Sequence, residues 1–399
     1  MNKKSKLNVL FLTFWTPPII RPRAILIGKI IPEMMQQGIE PIIMTYDICG
    51  GWKINAPIHK IPDFKTGHGW RGSFLMRNLM EYLYYRRLFK VARKIIIDND
   101  IEVVFSFSNP QASNILGAML KKKLGIKFIS HFSDPWYDNP YKSFSRLGAK
   151  KVKFLERFVI ENSDRVVFTN DEAGELVMKK YPSQWKTKAI TIPHCFKPAE
   201  YSEVKKNNQT GIFTFSHIGA FYKERNPDFL FEALNRILLK RPSANFKIKL
   251  VGCAGHYTGY SNDDLKDSIN RFRLDKFIEI IPRVSYQESL ELMKNSDCLI
   301  VIDANFVGSP FLPSKIVEYA GSGNLIIGIT PSGSPTEKFL YNLGCSSFNY
   351  NQINGLTDYI EKLLENKSGQ VINGEFLKNF EVKNIVRLWI EQFNKLING

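Results

Sequence analysis

The fifteen residues Ser309–Gly323, SPFLPSKIVEYAGSG, carry the spacing most able to do chemistry. Lys315 and Glu318 stand three apart, so on a helix they share a face, and Pro313 suits the first turn of such a helix. Free N–H groups at a helix start, with a mobile ammonium beside them, make a phosphate site. A carboxylate one turn deeper can accept hydrogen bonds from two neighbouring ribose hydroxyls. Together they could meet a phosphate and a ribose. The same spacing also fits a surface ion pair worth a few tenths of a kcal/mol, and spacing alone leaves both readings open.

A second stretch, Phe215–Leu230, reads FSHIGAFYKERNPDFL: a strand, a turn at Gly219, and a helix opening near Asn226-Pro227. Asn is a good N-cap and Pro a good first helical residue. Lys223 and Arg225 precede that helix start, where an anion is favoured; two solvated loop cations are the plainer alternative. In the loop Thr16–Arg23, Arg21 and Arg23 lead into another helix, and Arg23 at its start is placed to meet a phosphate.

These residues need strands and helices to aim them, and the chain supplies an alternation of both. Asn8–Phe14 is a short apolar run without helical period, as in a strand buried on both faces. Ala24–Gln37 has helical spacing and ends at Gly38, and Glu40–Thr45 is the next strand. A βαβ opening predicts a parallel sheet covered by helices. The alternation runs to Ile192, pauses at the polar, turn-rich Tyr201–Gly211, read as the linker, and restarts at Ile212. Val382–Leu396 reads as a closing amphipathic helix. Two α/β domains in series leave a cleft, and open parallel sheets bind ligands at the carboxyl ends of their strands.

On these residues the chain resembles glycosyltransferase family 4, in the branch written P-S-K-x-x-E-Y-x-x-x-G. The resemblance is strongest over residues 212–340. It implies the GT-B class of α/β fold: two Rossmann-like domains facing a cleft, with an acceptor-binding domain at 1–200 and a nucleotide-sugar domain at 212–380. A closing helix at 381–399 would cross back to the first domain. It further implies that Glu318 holds the donor ribose and that Gly219, Lys223, Arg225 and Lys315 surround its diphosphate. Val251-Gly252 and Ile281–Ser285 match the strand ends that receive the base, with Val284 or Arg283 lining it. The Lys127–Trp136 stretch, KFISHFSDPW, resembles a strand-end motif facing the transferred sugar. His131 or Asp134 there would orient the acceptor hydroxyl or take its proton, chemistry suited to neutral pH; an Asp-Pro turn and a core histidine are the structural alternatives. The loop with Arg21 and Arg23 takes the place of the family's Gly-rich loop but lacks its paired glycines. Where many members carry a second acid eight positions before the helix Glu, this chain has Pro310.

The family pattern also implies retention of anomeric configuration and neither metal nor cofactor beyond the nucleotide sugar. In agreement, no D-x-D sits at a strand end, and Asp263-Asp264 reads as a helix start. The leaving diphosphate must then be met by cations and helix ends.

Composition narrows the setting. With 44% hydrophobic and 23% charged residues the chain is an ordinary globular one, which excludes intrinsic disorder. Its five scattered cysteines contain no C-x-x-C pair, against a disulfide framework or structural zinc and in favour of a reducing cytoplasm. The apolar run after Lys3, Lys4 and Lys6 ends in Thr16-Pro17-Pro18 and reads as a first strand, not a leader. Of the net charge of +17, residues 1–200 hold 32 Lys and Arg against 17 Asp and Glu, so this half is expected to face a polyanion. Arg71–Lys94 carries seven cations, one acid and many aromatics, a pattern suited to an anionic membrane surface or to an ordinary covering helix. Lys142–Arg157 adds a second basic cluster.

The expectation is therefore a glycosyltransferase of bacterial surface polysaccharide (lipopolysaccharide or capsule), peripheral on the cytoplasmic face of the membrane, with a polyprenyl-linked glycan as acceptor. The alternatives are a nucleotide-sugar epimerase of the same build and a basic nucleic-acid-binding protein. No recognition motif supports the last, so no nucleic-acid partner is expected.

Overall fold

A computed structural model describes residues 7–47, 51–63, 74–204, 211–254, 259–366 and 371–398. The N-terminal lysines, Cys49, Arg71 and residues 205–210 of the turn-rich stretch lie outside them. The chain divides into two compact units, the first comprising residues 1–194 with 382–399 and the second residues 195–381.

Seven parallel strands form the sheet of the first unit: β1 (Leu7–Leu12), β2 (Ile39–Tyr46), β3 (Ile58–Ile61), β4 (Val103–Phe107), β5 (Lys127–Phe132), β6 (Arg165–Phe168) and β7 (Ala189–Thr191), in the order β3-β2-β1-β4-β5-β6-β7. The central strands read as continuous apolar runs because helices cover both faces; every residue of β4 is buried. The helix Val382–Asn398 belongs to this unit and buries Trp389 against Phe105 and Phe107 of β4.

The second sheet has six parallel strands: β8 (Phe213–Ile218), β9 (Phe246–Val251), β10 (Ile278–Ile281), β11 (Cys298–Ile302), β12 (Leu325–Ile329) and β13 (Ser346–Phe348), in the order β10-β9-β8-β11-β12-β13. Two of its helices start at capping boxes, Ser261 with Asp264 and Ser285 with Glu288. Two others stop at left-handed glycines, Gly323 and Gly344.

In each sheet the strand order reverses beside the first strand, between β1 and β4 and between β8 and β11. At such a switch point the loops leaving adjacent strands diverge and open a crevice at the carboxyl edge. In the second unit those loops carry Gly219–Arg225 on one side and Asp303–Lys315 on the other.

Two boundaries differ from the sequence reading. The division falls at His194, not residue 200, because Phe196 and Tyr201 are buried in the second unit's core. The predicted linker therefore begins inside that unit: the helix Pro198–Ser202 docks through Tyr201. The helix predicted from Pro227 spans Asp228–Lys240, and Asn226 acts just outside it, its Oδ1 accepting from the Asp228 N–H at 3.1 Å.

Candidate active site

At the switch point of the second unit, Lys315 is the first residue of the helix Lys315–Ser322. Its Nζ lies 3.0 Å from His217 Nε2. A Cβ on Gly219 would stand 3.0 Å from the same Nζ, and Gly219 holds φ of +122°, so glycine serves there both for its backbone and for the room it leaves. Buried His217, at the end of β8, has its other ring nitrogen 2.9 Å from the Ile300 carbonyl. A carbonyl only accepts, so Nδ1 carries the proton and Nε2 presents a lone pair to the ammonium. Burial, then the charges of Lys315 and Arg225, hold His217 well below the usual histidine range, so it is neutral.

Arg225 completes the group. Its Nη2 donates to the Ala220 carbonyl at 3.0 Å, its guanidinium lies 4.8 Å from the Tyr222 ring centroid, and its buried Nε has no hydrogen-bond partner. Burial and the neighbouring Arg225 charge lower Lys315 to about 7. Asp303, buried at the end of β11, accepts from Thr330 Oγ1 at 2.9 Å; burial raises its pKa, against the opposing pull of the same two cations. Two crowded cations with one enclosed carboxylate make a place where a diphosphate would be favoured. Tyr319 fastens the helix to this corner, its hydroxyl accepting from the Ile218 N–H at 2.8 Å.

Glu318 faces a different set of partners. Its Oε2 accepts from Tyr201 Oη at 2.6 Å and from Tyr286 Oη at 3.3 Å, and Tyr286 Oη is also 2.9 Å from Glu200 Oε2. Burial, then the nearby carboxylate of Glu318, pushes both tyrosines above their ordinary range, which keeps them donors.

The first unit builds a comparable pair. Arg23, on the first turn of the helix Pro22–Gln36, is buried with Nη1 3.3 Å from His131 Nδ1, at the end of β5. A guanidinium only donates, so the His131 proton sits on Nε2. Burial, Arg23 and His194 hold His131 well below its usual range, and burial with Arg23 and Lys29 lowers His194 to about 3. Burial lowers Arg23 to about 10, against the opposing charge of Asp134, so it stays charged at neutral pH. Asp134 is half-buried and accepts from Ser133 Oγ at 3.2 Å.

Gly219, Arg225 and Lys315 thus meet in one corner, and Arg23, His131 and Asp134 in another. Three sequence candidates stand elsewhere. Lys223 is exposed, and its charge acts on Asp264 at the start of a neighbouring helix. Arg21 is exposed with its guanidinium 4.0 Å from the Trp15 ring. Val284 lines a shallow groove with Lys249, Glu288 and Leu292. His217, Asp303, Tyr201 and Tyr286 escaped the sequence reading. Among the described residues, no three His, Cys, Asp or Glu side chains gather in a way that would hold a metal ion.

Two parallel α/β Rossmann-like units in one chain define the GT-B class. Solved structures share this build along the whole chain. A sucrose-phosphate synthase from Thermosynechococcus elongatus is 10% identical, with a TM-score of 0.74 over 98% of this chain and 99% of that one. Anabaena HepE in complex with UDP-glucose is 12% identical, at 0.69 over 98% and 100%. A glycosyltransferase from Rickettsia africae is 14% identical, at 0.68 over 98% and 99%. At these identities the likeness is one of fold. No family profile matches the chain, and no curated protein matches it in sequence.

Proposed function

We propose that this chain is a glycosyltransferase that moves a hexosyl unit from a nucleotide-diphosphate sugar to a glycan acceptor, as a retaining enzyme of the family-4 type. The meeting of Lys315, Arg225 and Gly219 at the switch point of the second sheet carries this reading. There the cations receive the diphosphate and stabilise it as it leaves, without a metal, and Glu318 receives the ribose while its tyrosines fix its orientation. Anabaena HepE, of the same build, is known in complex with UDP-glucose. In the first unit, His131 serves through its Nε2–H as a hydrogen-bond donor, since its Nδ1 faces Arg23 and burial keeps it neutral; it is not the base. Asp134 is then the group that orients the acceptor hydroxyl.

The test is a thermal-shift panel of UDP-glucose, GDP-mannose and ADP-glucose, followed by transfer assays with the one that binds. A ligand at a hundred times its Kd adds about 2.7 kcal/mol of stability. The reading fails if none stabilises the protein, and conversion of donor to an isomer without acceptor would assign an epimerase instead.

A polyprenyl-linked acceptor in surface-polysaccharide synthesis, met at the cytoplasmic face of the membrane, fits the basic first unit. On the helix Phe74–Asp98, Leu79, Tyr82 and Leu83 are exposed among Arg77, Arg86 and Arg87, and Leu147 and Phe154 are exposed on the helix Arg146–Asn162. Lys151 joins the two helices through Asn78 and Glu81. No helix among the described residues is long and apolar enough to cross a membrane, so this surface would lie on the bilayer. Co-sedimentation with vesicles containing anionic lipid at physiological salt is expected; protein left wholly in the supernatant would refute it.

A further inference from the structure

We infer that His217 is a positioning residue of the donor site, its Nε2 holding the Lys315 ammonium beside Gly219 and Arg225, where a nucleotide sugar's diphosphate would arrive. The inference rests on the donor-site reading and gives a role to a residue that the sequence reading left without one, although His217 lies in the same stretch as Arg225.

The imidazole is fixed on several sides. Nδ1–H donates to the Ile300 carbonyl at 2.9 Å, the ring stacks on Phe221 with centroids 4.5 Å apart, and the side chain is buried. The lone pair on Nε2 therefore has a set direction, and Lys315 Nζ lies in it at 3.0 Å. The other groups acting on this ammonium are Arg225, which repels it, and Asp303 and Cys253. Cys253 is buried with its thiol raised to about 12, so it carries no charge. A carboxylate in the place of His217 would neutralise the ammonium and compete with the incoming anion. A neutral acceptor holds the ammonium in line yet yields to a doubly charged ligand.

The experiment measures UDP-glucose affinity by calorimetry between pH 6 and 8.5, a range in which the diphosphate of the sugar nucleotide keeps its charge. GDP-mannose or ADP-glucose replaces it if the panel above selects one of them. Wild-type affinity is expected to fall as pH rises through the value at which Lys315 loses its proton. His217→Asn keeps an N–H toward Ile300 and removes Nε2. It should bind about tenfold more weakly at pH 6.5, the scale of one hydrogen bond to a charged group, with its pH midpoint displaced downward. His217→Gln, which restores an acceptor near Nε2, should recover part of both. A histidine with a merely structural role would change thermal stability in both variants without moving that midpoint. Wild-type affinity and pH profile in His217→Asn would overturn the inference and leave the donor site standing. Failure of all three nucleotide sugars to bind the wild type would defeat the donor reading and this inference with it.

Discussion

In both units a buried, neutral histidine at a strand end takes a hydrogen bond from a cation at the start of a helix. His131 in β5 faces Arg23, and His217 in β8 faces Lys315. The difference lies in the cation. Arginine stays charged even where burial lowers it to about 10, and its fork is held over the Phe107 ring at 5.5 Å. Lysine is a compact charge on a flexible stem that gives up its proton readily when enclosed, and Lys315 sits at about 7. The first pair is expected to act as a fixed charge and the second to respond to pH.

The sharpest test of that contrast is kinetic. Arg225→Ala and Lys315→Ala are each expected to slow transfer by about 100-fold or more, the scale of losing one preorganised donor to developing charge. In kcat/KM, which reports the free enzyme, the deficit of Lys315→Ala should shrink as pH rises through 7, because the wild type itself loses the ammonium. The deficit of an Arg23→Ala variant should be level from pH 6.5 to 8. Parallel pH dependences in the two would erase the distinction between the pairs.

A smaller effect concerns what the pairs share. His131, His194 and His217 are neutral in the folded chain, with His194 held at about 3. Below about 6.5, the value for a free histidine, the unfolded chain binds protons that the native one does not. Stability is then lost as pH falls, at about 1.4 kcal/mol per pH unit for each histidine. Urea midpoints at pH 7.5 and 5.5 measure this, and His217→Asn should remove one histidine's share. Equal midpoints in the wild type would mean that the histidines are protonated in the native state.

The two sheets and most helices were legible because apolar periods and caps are local signals. The edge strands β3 and β13 were not, since each is short and only partly apolar. Within the site, Lys315, Glu318 and Arg225 stood in motifs whose spacing suggested phosphate and ribose. His217 lay in the same stretch as Arg225 but drew no role: one histidine inside an apolar strand reads as core, and its partner lies 98 positions later. Asp303 is similar, a lone acid at a strand end whose meaning comes from cations on other segments. Tyr201 fell in what looked like linker because its partner, Glu318, is 117 residues away. Conversely, Arg21, Lys223 and Val284 occupied promising positions in the chain, yet the fold turned them to other surroundings.

The helix that closes the first unit has a consequence for synthesis. The strands of that unit leave the ribosome first, but Trp389 and Phe393, which cover Phe105, are made only after all of the second unit. Until then the aromatic face of β4 is uncovered, and the contacts that close it span nearly 300 residues of chain, a slow kind of closure. Nascent chains halted before residue 382 should therefore display a sticky, chaperone-binding sheet beside an already finished neighbour.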